Sequence, residues 1–252
     1  MRLFAIADLH LAQTVDKPMD VFGPRWDRHV ERICRNWEET VEENDTVLVG
    51  GDISWAASLD QARSDLELLH RLPGRKILLR GNHDYWWTTV RKMQDFCQTH
   101  GFSSLEFLRN DARLEAGFWV CGTRGWVLPP DEAFREEDEK IFRREVLRLD
   151  LSLADLERQR RAGESPGPAL ALMHYPPLSE KGCPSELSEK LSKAGIAVCL
   201  FGHIHHHVPY YEGRPLLDGV RYIMVASDQI GFRPLLIGEA GRFLLDGGED
   251  NA

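Results

Sequence analysis

The sequence has no block of lysine or arginine residues, and its formal net charge is −9 over 252 residues. Proteins that bind the phosphate backbone of nucleic acids usually present a basic stripe or groove. The charge pattern therefore argues against an extended nucleic acid as a partner. Carboxylates that hold metal ions would also contribute to the negative charge.

The sequence also lacks long apolar runs and paired cysteines. No segment approaches the roughly 20 apolar residues that span a bilayer. The first apolar run, residues 3–7, is shorter than the hydrophobic region of a signal peptide and ends at Asp8. None of the five cysteines forms a C-x-x-C pair, and Cys121 and Cys199 lie within apolar runs, as reduced core thiols do. We therefore expect a cytoplasmic protein with no membrane association.

The sequence does contain enough apolar residues, 42% of the total, for a single α/β domain over residues 1–252. Strand-like runs alternate with helical apolar spacings along the first part of the chain. The predicted strands are at 2–7, 47–49 and 76–79, and the predicted helices at 25–43, 58–71 and 86–100. This alternation predicts a parallel sheet with right-handed crossovers.

The pattern changes after these helices. Short apolar runs at 105–108, 112–114 and 118–121 are joined by turn residues and predict a hairpin meander. The charged segment 131–162 has apolar residues at alternating steps of four and three, which predicts one long helix or two helices bent near 150–152. We expect it to pack on a sheet with a solvated outer face; a lid over the site or a dimer contact is the alternative.

The last part of the chain begins with a Gly- and Pro-rich stretch at 163–168, which we interpret as a flexible connection. A short helix is predicted near 185–193. Further strands are predicted at 169–173, 197–201, 222–226, 234–237 and 242–245. The three C-terminal strands carry no recognisable motif.

Polar side chains follow the apolar runs at five places. They are Asp8-Leu9-His10, Gly51-Asp52, Gly81-Asn82-His83-Asp84, His174, and Gly202-His203-Ile204-His205. Side chains two residues apart in extended backbone point to the same side, so each D-x-H or H-x-H pair can converge on one point. Ligands of open α/β sheets gather outside the carboxyl ends of the strands. The five clusters therefore predict a metal site at that edge.

The D-x-H, G-N-H-D and G-H-x-H elements, in this order, resemble those of the calcineurin-like metallophosphoesterase superfamily, roughly over residues 2–226. The resemblance implies a four-layer α-β-β-α sandwich of two mixed sheets flanked by helices, with the metal site at the carboxyl ends of strands. It also implies hydrolysis of a small-molecule phosphomonoester or phosphodiester. One departure is that many members continue the second motif to another acidic residue, whereas this chain reads Gly51-Asp52-Ile53-Ser54-Trp55.

The resemblance also implies two divalent metal ions held by seven side chains. One ion would be held by Asp8, His10 and His205, the other by Asn82, His174 and His203, with Asp52 as the bridge. Two such ions lie about 3.5–4 Å apart and repel each other, so a shared carboxylate and a shared hydroxide are needed between them. Mixed nitrogen and oxygen ligands favour manganese, iron, zinc or nickel over calcium.

By the same resemblance, a metal-bridging hydroxide attacks phosphorus in line, and His83 protonates the leaving alkoxide or stabilises its charge. Asp84 would hold the His83 ring. Arg124 is a candidate for contact with a substrate phosphate, a salt bridge being the alternative. Aromatic residues near the motifs are candidates for pocket walls, among them Trp55, Tyr85 and Tyr175.

Two other functions fit the same fold. A nuclease is disfavoured by the negative net charge and the missing basic groove. A non-catalytic protein-interaction scaffold would be expected to have lost metal ligands, whereas all seven are present here together with His83. The expected partner is therefore a small phosphoester, and a homo-oligomer is compatible with the sequence.

Overall fold

The computed structural model describes residues 1–129, 131–163 and 167–245. Its strands are β1 (Arg2–Ile6), β2 (Thr46–Val49), β3 (Arg75–Leu78), β4 (Leu105–Phe107), β5 (Arg113–Glu115), β6 (Phe118–Thr123), β7 (Ala169–Met173), β8 (Ile196–Phe201), β9 (Leu216–Leu217), β10 (Val220–Met224), β11 (Leu235–Glu239) and β12 (Arg242–Phe243). Its α-helices are α1 (His29–Thr40), α2 (Arg63–Arg71), α3 (Val90–His100), α4 (Glu136–Arg161), α5 (Glu186–Lys193) and α6 (Pro209–Glu212). Of the connection predicted at 163–168, residues 164–166 lie outside the described part.

The first sheet has the strand order β12-β11-β1-β2-β3-β4. Strands β1 to β4 are parallel, and β11 and β12 add antiparallel pairs at one edge. The prediction that residues 105–108 belong to a hairpin meander is therefore wrong, because β4 pairs in parallel with β3 after the crossover through α3. Only β5 and β6 form the predicted hairpin, and they belong to the other sheet.

The second sheet has the strand order β5-β6-β7-β8-β10-β9. Its four central strands run parallel, with antiparallel strands at both edges. A parallel bridge between Ala7 and Ala226 links the end of β1 to the end of β10. Both sheets therefore contribute to the same region of the molecule just beyond the carboxyl ends of their strands.

Three apolar layers separate the elements. Helices α1, α2 and α3 bury residues such as Trp37, Leu66 and Met93 against one face of the first sheet. A middle layer that includes Leu48 and Leu172 lies between the two sheets, and a third layer lies under α4 and α5. This arrangement confirms the predicted four-layer α-β-β-α sandwich of two mixed sheets.

Helix α4 is one continuous helix of 26 residues, and it occupies most of the charged segment predicted to be helical. Acidic residues fill its first turn and arginines its last turn, which suits the helix dipole at both ends. Its buried face includes Phe142, Val146, Leu149 and Leu156, which pack in the layer over the second sheet, as predicted. Among the described residues, no helix combines the length and the apolar composition that a membrane span requires.

Candidate metal centre

Turns at the strand ends hold several predicted ligands in an uncommon backbone conformation. The φ angles are 59° at Asp8, 47° at His10, 50° at Asp52 and 72° at His203. Positive φ is unfavourable for residues with a Cβ, although Asp and His tolerate it better than most. Such conformations cluster at functional sites, where the surrounding structure maintains them. Here they direct the side chains toward a common point.

Three predicted ligands form the first group. The ligand atoms of Asp8, His10 and His205 all lie within 4.8 Å of one another. The Nε2 atoms of His10 and His205 are 3.3 Å apart, and His205 Nε2 is 3.7 Å from Asp8 Oδ1. Asp52 borders this group, because its Oδ2 lies 3.9 Å from His10 Nε2.

The second group lies on the other side of Asp52. Asn82 Oδ1 is 2.7 Å from His174 Nε2, which in turn is 3.5 Å from Asp52 Oδ1. The His203 ring lies 5.1 Å from the His174 ring, centroid to centroid. Asp52 therefore presents one carboxylate oxygen to each group. Asp8 also approaches both groups, since its Oδ1 lies 3.9 Å from His174 Nδ1.

The two aspartates of the cluster are buried, which makes their negative charge unfavourable unless a positive charge lies nearby. Burial raises the pKa of Asp8 well above its usual range and also raises the pKa of Asp52. No lysine or arginine of the described chain forms an ion pair with either carboxylate. Two buried carboxylates without a cationic side chain are unfavourable unless another positive charge compensates them.

Three of the neighbouring imidazoles are held in the neutral form that binds metals. Burial lowers the pKa of His10 well below its usual range, that of His174 to about 3 and that of His203 to about 2. A metal ligand must be a deprotonated histidine. Because the donors are carboxylate, amide and imidazole with no thiolate, the cluster fits the first-row transition metals that the sequence predicted.

Two glycines allow the strand ends to approach the carboxylates. A Cβ at Gly81 would overlap the carboxylate of Asp52, and a Cβ at Gly202 would overlap the carboxylate of Asp8. The carboxylates occupy this space and accept hydrogen bonds from backbone amides: His83 N donates to Asp52 Oδ1 at 2.8 Å, and His203 N donates to Asp8 Oδ2 at 3.0 Å. The glycines of both motifs are therefore needed for close packing around the cluster.

His83 borders the cluster, but the expectation that Asp84 holds its ring is wrong. The Asp84 carboxylate is buried and accepts hydrogen bonds from the amides of Gly81, Ile53 and Ser54, at 2.7, 2.9 and 3.1 Å. His83 Nδ1 is buried and has no hydrogen-bond partner among the described residues. Asp84 therefore ties the turn after β3 to the turn after β2. Burial and the charge of Asp52 raise the pKa of Asp84 to about 7.

Three aromatic candidates lie near the cluster. Trp55 stacks on His10 with centroids 5.1 Å apart and lies 4.2 Å from the His83 ring. Tyr175 is buried and lies 3.8 Å from the His203 ring. Tyr85 is 60% exposed, and its ring is 6.1 Å from that of His83. Trp55 thus packs against His10 and His83, Tyr175 packs against the proposed metal ligand His203, and Tyr85 is exposed near His83.

The Arg124 side chain pairs with Glu145 and not with a proposed metal ligand. Its Nη2 donates to the buried carboxylate of Glu145 at 3.1 Å, and its guanidinium lies over Trp126 at 4.4 Å. Its backbone carbonyl accepts hydrogen bonds from the amides of His174 and Tyr175. Of the two alternatives for Arg124, phosphate contact and a salt bridge, the structure contains the salt bridge. Its partner is Glu145, and the ion pair is buried.

The C-terminal part of the chain supplies residues that sequence reasoning missed. Asp228 Oδ1 lies 2.9 Å from His205 Nδ1, and Ser227 Oγ donates to the carbonyl of Asp8 at 2.7 Å. Both residues follow the end of β10, so the strand-end rule that found the other clusters also applies to them. Arg25 joins this set, because its Nη1 lies 3.3 Å from Asp228 Oδ2.

A cavity of about 290 Å³ opens above the cluster. Its floor includes Asp52, His203 and His205, and its walls include Trp55 and Phe22. A polar floor with apolar walls suits a ligand that has both a polar and an organic part.

A two-sheet sandwich with a buried Asp, Asn and His cluster at its strand ends is the arrangement that the sequence resemblance implied for metal-dependent phosphoester hydrolases. The sequence matches the profile of the calcineurin-like phosphoesterase family over residues 1–207. The chain therefore belongs to this family.

Part of the chain is similar to a phage protein. The chain is 39% identical over 109 residues to the gene 66 protein of Mycobacterium phage D29, a match that covers 43% of this chain and 52% of that protein. The chain thus spans about half the length of this relative.

Three solved structures share the fold. The phosphopantetheinyl hydrolase of Mycobacterium tuberculosis matches with a TM-score of 0.53 and 16% identity, over 100% of this chain and 98% of that one. The protein TT1561 of Thermus thermophilus matches with a TM-score of 0.52 and 11% identity, over 89% of each chain. The protein of unknown function AQ665 of Aquifex aeolicus matches with a TM-score of 0.50 and 16% identity, over 93% and 95%. At these identities the likeness shows the fold alone.

Proposed function

We propose that the protein is a binuclear-metal phosphohydrolase that cleaves a small phosphomonoester or phosphodiester. The observation that carries the proposal is the position of two buried carboxylates, Asp8 and Asp52, among imidazoles and without a lysine or arginine partner in the described structure. Divalent cations would compensate this charge, and the donor set suits them.

The two groups of side chains correspond to two metal positions. Asp8, His10 and His205 would hold one ion, and Asn82, His174 and His203 the other, with Asp52 between them. When bound, such ions lower the pKa of a shared water and polarise phosphoryl oxygens. The chain's own contribution is to hold the ligands in place, through strained turns, backbone amides and the hydrogen bond that His205 Nδ1 donates to Asp228.

His83 is the proposed proton donor to the leaving oxygen. Its side chain is 33% exposed, and its Nε2 lies 4.0 Å from Asp52 Oδ2, so the ring borders both the cluster and the cavity. Burial lowers the pKa of His83 and the charge of Asp52 opposes this shift. A phosphoryl group bound beside the ring would favour its charged, proton-donating form.

The cavity supports a small-molecule substrate. Phe22 and Met19 line the cavity with Trp55, which gives the organic group of an ester an apolar surface. A nuclease remains disfavoured by the net charge of −9, and the complete ligand set supports an enzyme over a scaffold. A cytoplasmic location and a homo-oligomer stay predictions, as does a role for α4 as a lid or dimer contact.

Turnover of paired esters tests the proposal. Purified protein, reconstituted with Mn²⁺ or Zn²⁺, would be assayed with p-nitrophenyl phosphate, bis-p-nitrophenyl phosphate and a phosphopantetheinyl ester. The last is included because one protein of this fold is a phosphopantetheinyl hydrolase. We expect hydrolysis that a chelator abolishes and added metal restores. Metal-loaded protein that hydrolyses none of the three esters contradicts the proposal.

A further inference from the structure

A second polar cavity lies beside the metal centre and is surrounded by arginines. It has a volume of about 70 Å³ and is bordered by the ends of β3, β4 and β6 and by α4. The guanidinium side chains around it are those of Arg80, Arg109, Arg124 and Arg148. A pocket of this size has room for a small tetrahedral anion.

The lining of this cavity is strongly positive although the whole chain is negative. Its one carboxylate is that of Glu145, which accepts hydrogen bonds from Thr123 at 2.7 Å, from Arg124 at 3.1 Å and from Arg148 at 2.5 Å. Four guanidinium groups therefore face a single carboxylate in a protein with a net charge of −9. Like charges held this close repel each other unless an anion lies between them.

In the described part of the chain, two guanidinium nitrogens of the lining arginines lack acceptors, and two of these arginines lack ion-pair partners. The Nε atoms of Arg80 and Arg124 are buried and have no hydrogen-bond partner among the described residues. Within the same part of the chain, the side chains of Arg80 and Arg109 make no ion pair, whereas Arg124 and Arg148 share Glu145. Buried guanidinium donors without partners are costly, and planar guanidinium groups match the oxygens of phosphate well.

We propose that this arginine pocket binds a phosphate group. The pocket adjoins the metal centre through the chain itself, because Arg80 directly precedes Gly81-Asn82 and the carbonyl of Arg124 accepts the amide of His174 at 3.1 Å. If the protein has the proposed phosphohydrolase function, the ligand of the pocket is a second phosphate of the substrate, remote from the one that is cleaved. Free inorganic phosphate offers the same chemistry and is the alternative source.

Protection against chemical modification tests the pocket in the full-length protein. Phenylglyoxal would be used to modify arginines with and without inorganic phosphate, and peptide mass spectrometry would give the rate at each residue. We expect phosphate to slow modification of Arg80 and Arg109 at least fivefold, both in metal-loaded and in chelator-treated protein. Arg91, which is exposed on α3 and paired with Asp95, is the internal control and should react at an unchanged rate.

Equal modification rates at Arg80, Arg109 and Arg91 with and without phosphate would overturn the proposal. A variant strengthens the test: Arg109→Gln removes one exposed guanidinium without touching the Glu145 ion pairs, and should raise at least fivefold the phosphate concentration that half-protects Arg80. An unchanged half-protecting concentration counts against a shared pocket.

A kinetic comparison then distinguishes the two sources of phosphate. For the metal-loaded enzyme, we expect the KM of an alkyl ester that carries a second phosphate to be at least tenfold below that of the same ester without it, and Arg109→Gln to narrow this ratio. If the two esters have equal KM values and phosphate still protects the arginines from phenylglyoxal, the ligand of the pocket is free phosphate. Because protection is read without turnover, a failure of the proposed hydrolase activity and a failure of the pocket are separate results.

Discussion

His205 and Asp228 are joined by a 2.9 Å hydrogen bond between the imidazole Nδ1 and a carboxylate oxygen whose side chain is fully buried. This bond fixes the ring so that Nε2 faces Asp8 and His10. Burial alone would lower the pKa of His205, but the bond to Asp228 and the charge of Asp8 raise it above its usual range. Asp228 is thus a positioning residue for a proposed metal ligand.

Replacing Asp228 tests this role. Carboxylates that orient ligating histidines typically contribute 10–100-fold to metal affinity. We expect Asp228→Asn to weaken metal binding by roughly this factor, measured by competition with a fluorescent chelator. The matched control is Asp218→Asn, at an exposed turn position with φ 50°, which Asn also tolerates. Equal metal affinity in Asp228→Asn and the wild-type protein would show that Asp228 does not orient the ligand.

His83→Ala tests the proposed proton donor. We expect turnover to fall roughly 10²–10⁴-fold while metal content stays at the wild-type value, because His83 is outside both ligand groups. The loss should be largest for esters with poor leaving groups, measured as the dependence of kcat on leaving-group pKa. His206→Ala is the control, since His206 is exposed and paired with Glu180 at 2.9 Å. Loss of metal from His83→Ala would mean that His83 is itself a ligand.

A prediction of stability concerns Asp45, remote from the site. Its carboxylate accepts hydrogen bonds from Arg2 N at 2.8 Å, from Arg2 Nε at 3.0 Å and from the Glu42 amide at 3.0 Å. Burial would raise the pKa of Asp45, but these donors hold it below its usual range. A carboxyl group with a lowered folded-state pKa stabilises the protein above its unfolded pKa of about 3.9, and this contribution is lost as the pH falls through the folded value.

We therefore expect Asp45→Asn to lower the free energy of unfolding by about 2 kcal/mol at pH 7. The difference from the wild-type protein should shrink as the pH falls below about 4. Urea unfolding between pH 7 and pH 3 measures both effects. A difference that stays constant over this range contradicts the assigned charge of Asp45.

Local patterns predicted a parallel sheet with polar clusters at its strand ends, and the resemblance that the motifs carry implied the layers of the fold and the set of seven polar side chains. Buried runs such as residues 169–173 became strands with the predicted bounds, since both their faces are covered. The strand at residues 105–107 was assigned to a hairpin because its length and flanking turns resemble those of β5. Its pairing with β3 depends on where α3 returns the chain, which no local pattern records.

Some residues of the site could not be predicted from the sequence for a similar reason. Asp228 reaches His205 only because β10 lies beside β8 in the second sheet, an order that the chain does not reveal. Asp84 follows His83 directly, yet its carboxylate turns to the amides after β2, because those buried donors need an acceptor. The four arginines of the pocket come from four separate segments, and only Arg124 was a candidate for phosphate contact from the sequence.

The number of metal ions per chain tests the central claim most directly. Protein reconstituted with Mn²⁺ and freed from excess metal would be measured by elemental analysis, together with turnover of the preferred ester. We predict two ions per chain and turnover that depends on the second ion. Asp52→Asn should lose both the bound ions and the turnover, since Asp52 offers an oxygen to each group. Fewer than two ions in fully active protein, or an Asp52→Asn variant that keeps two ions and wild-type turnover, would contradict a binuclear centre bridged by Asp52.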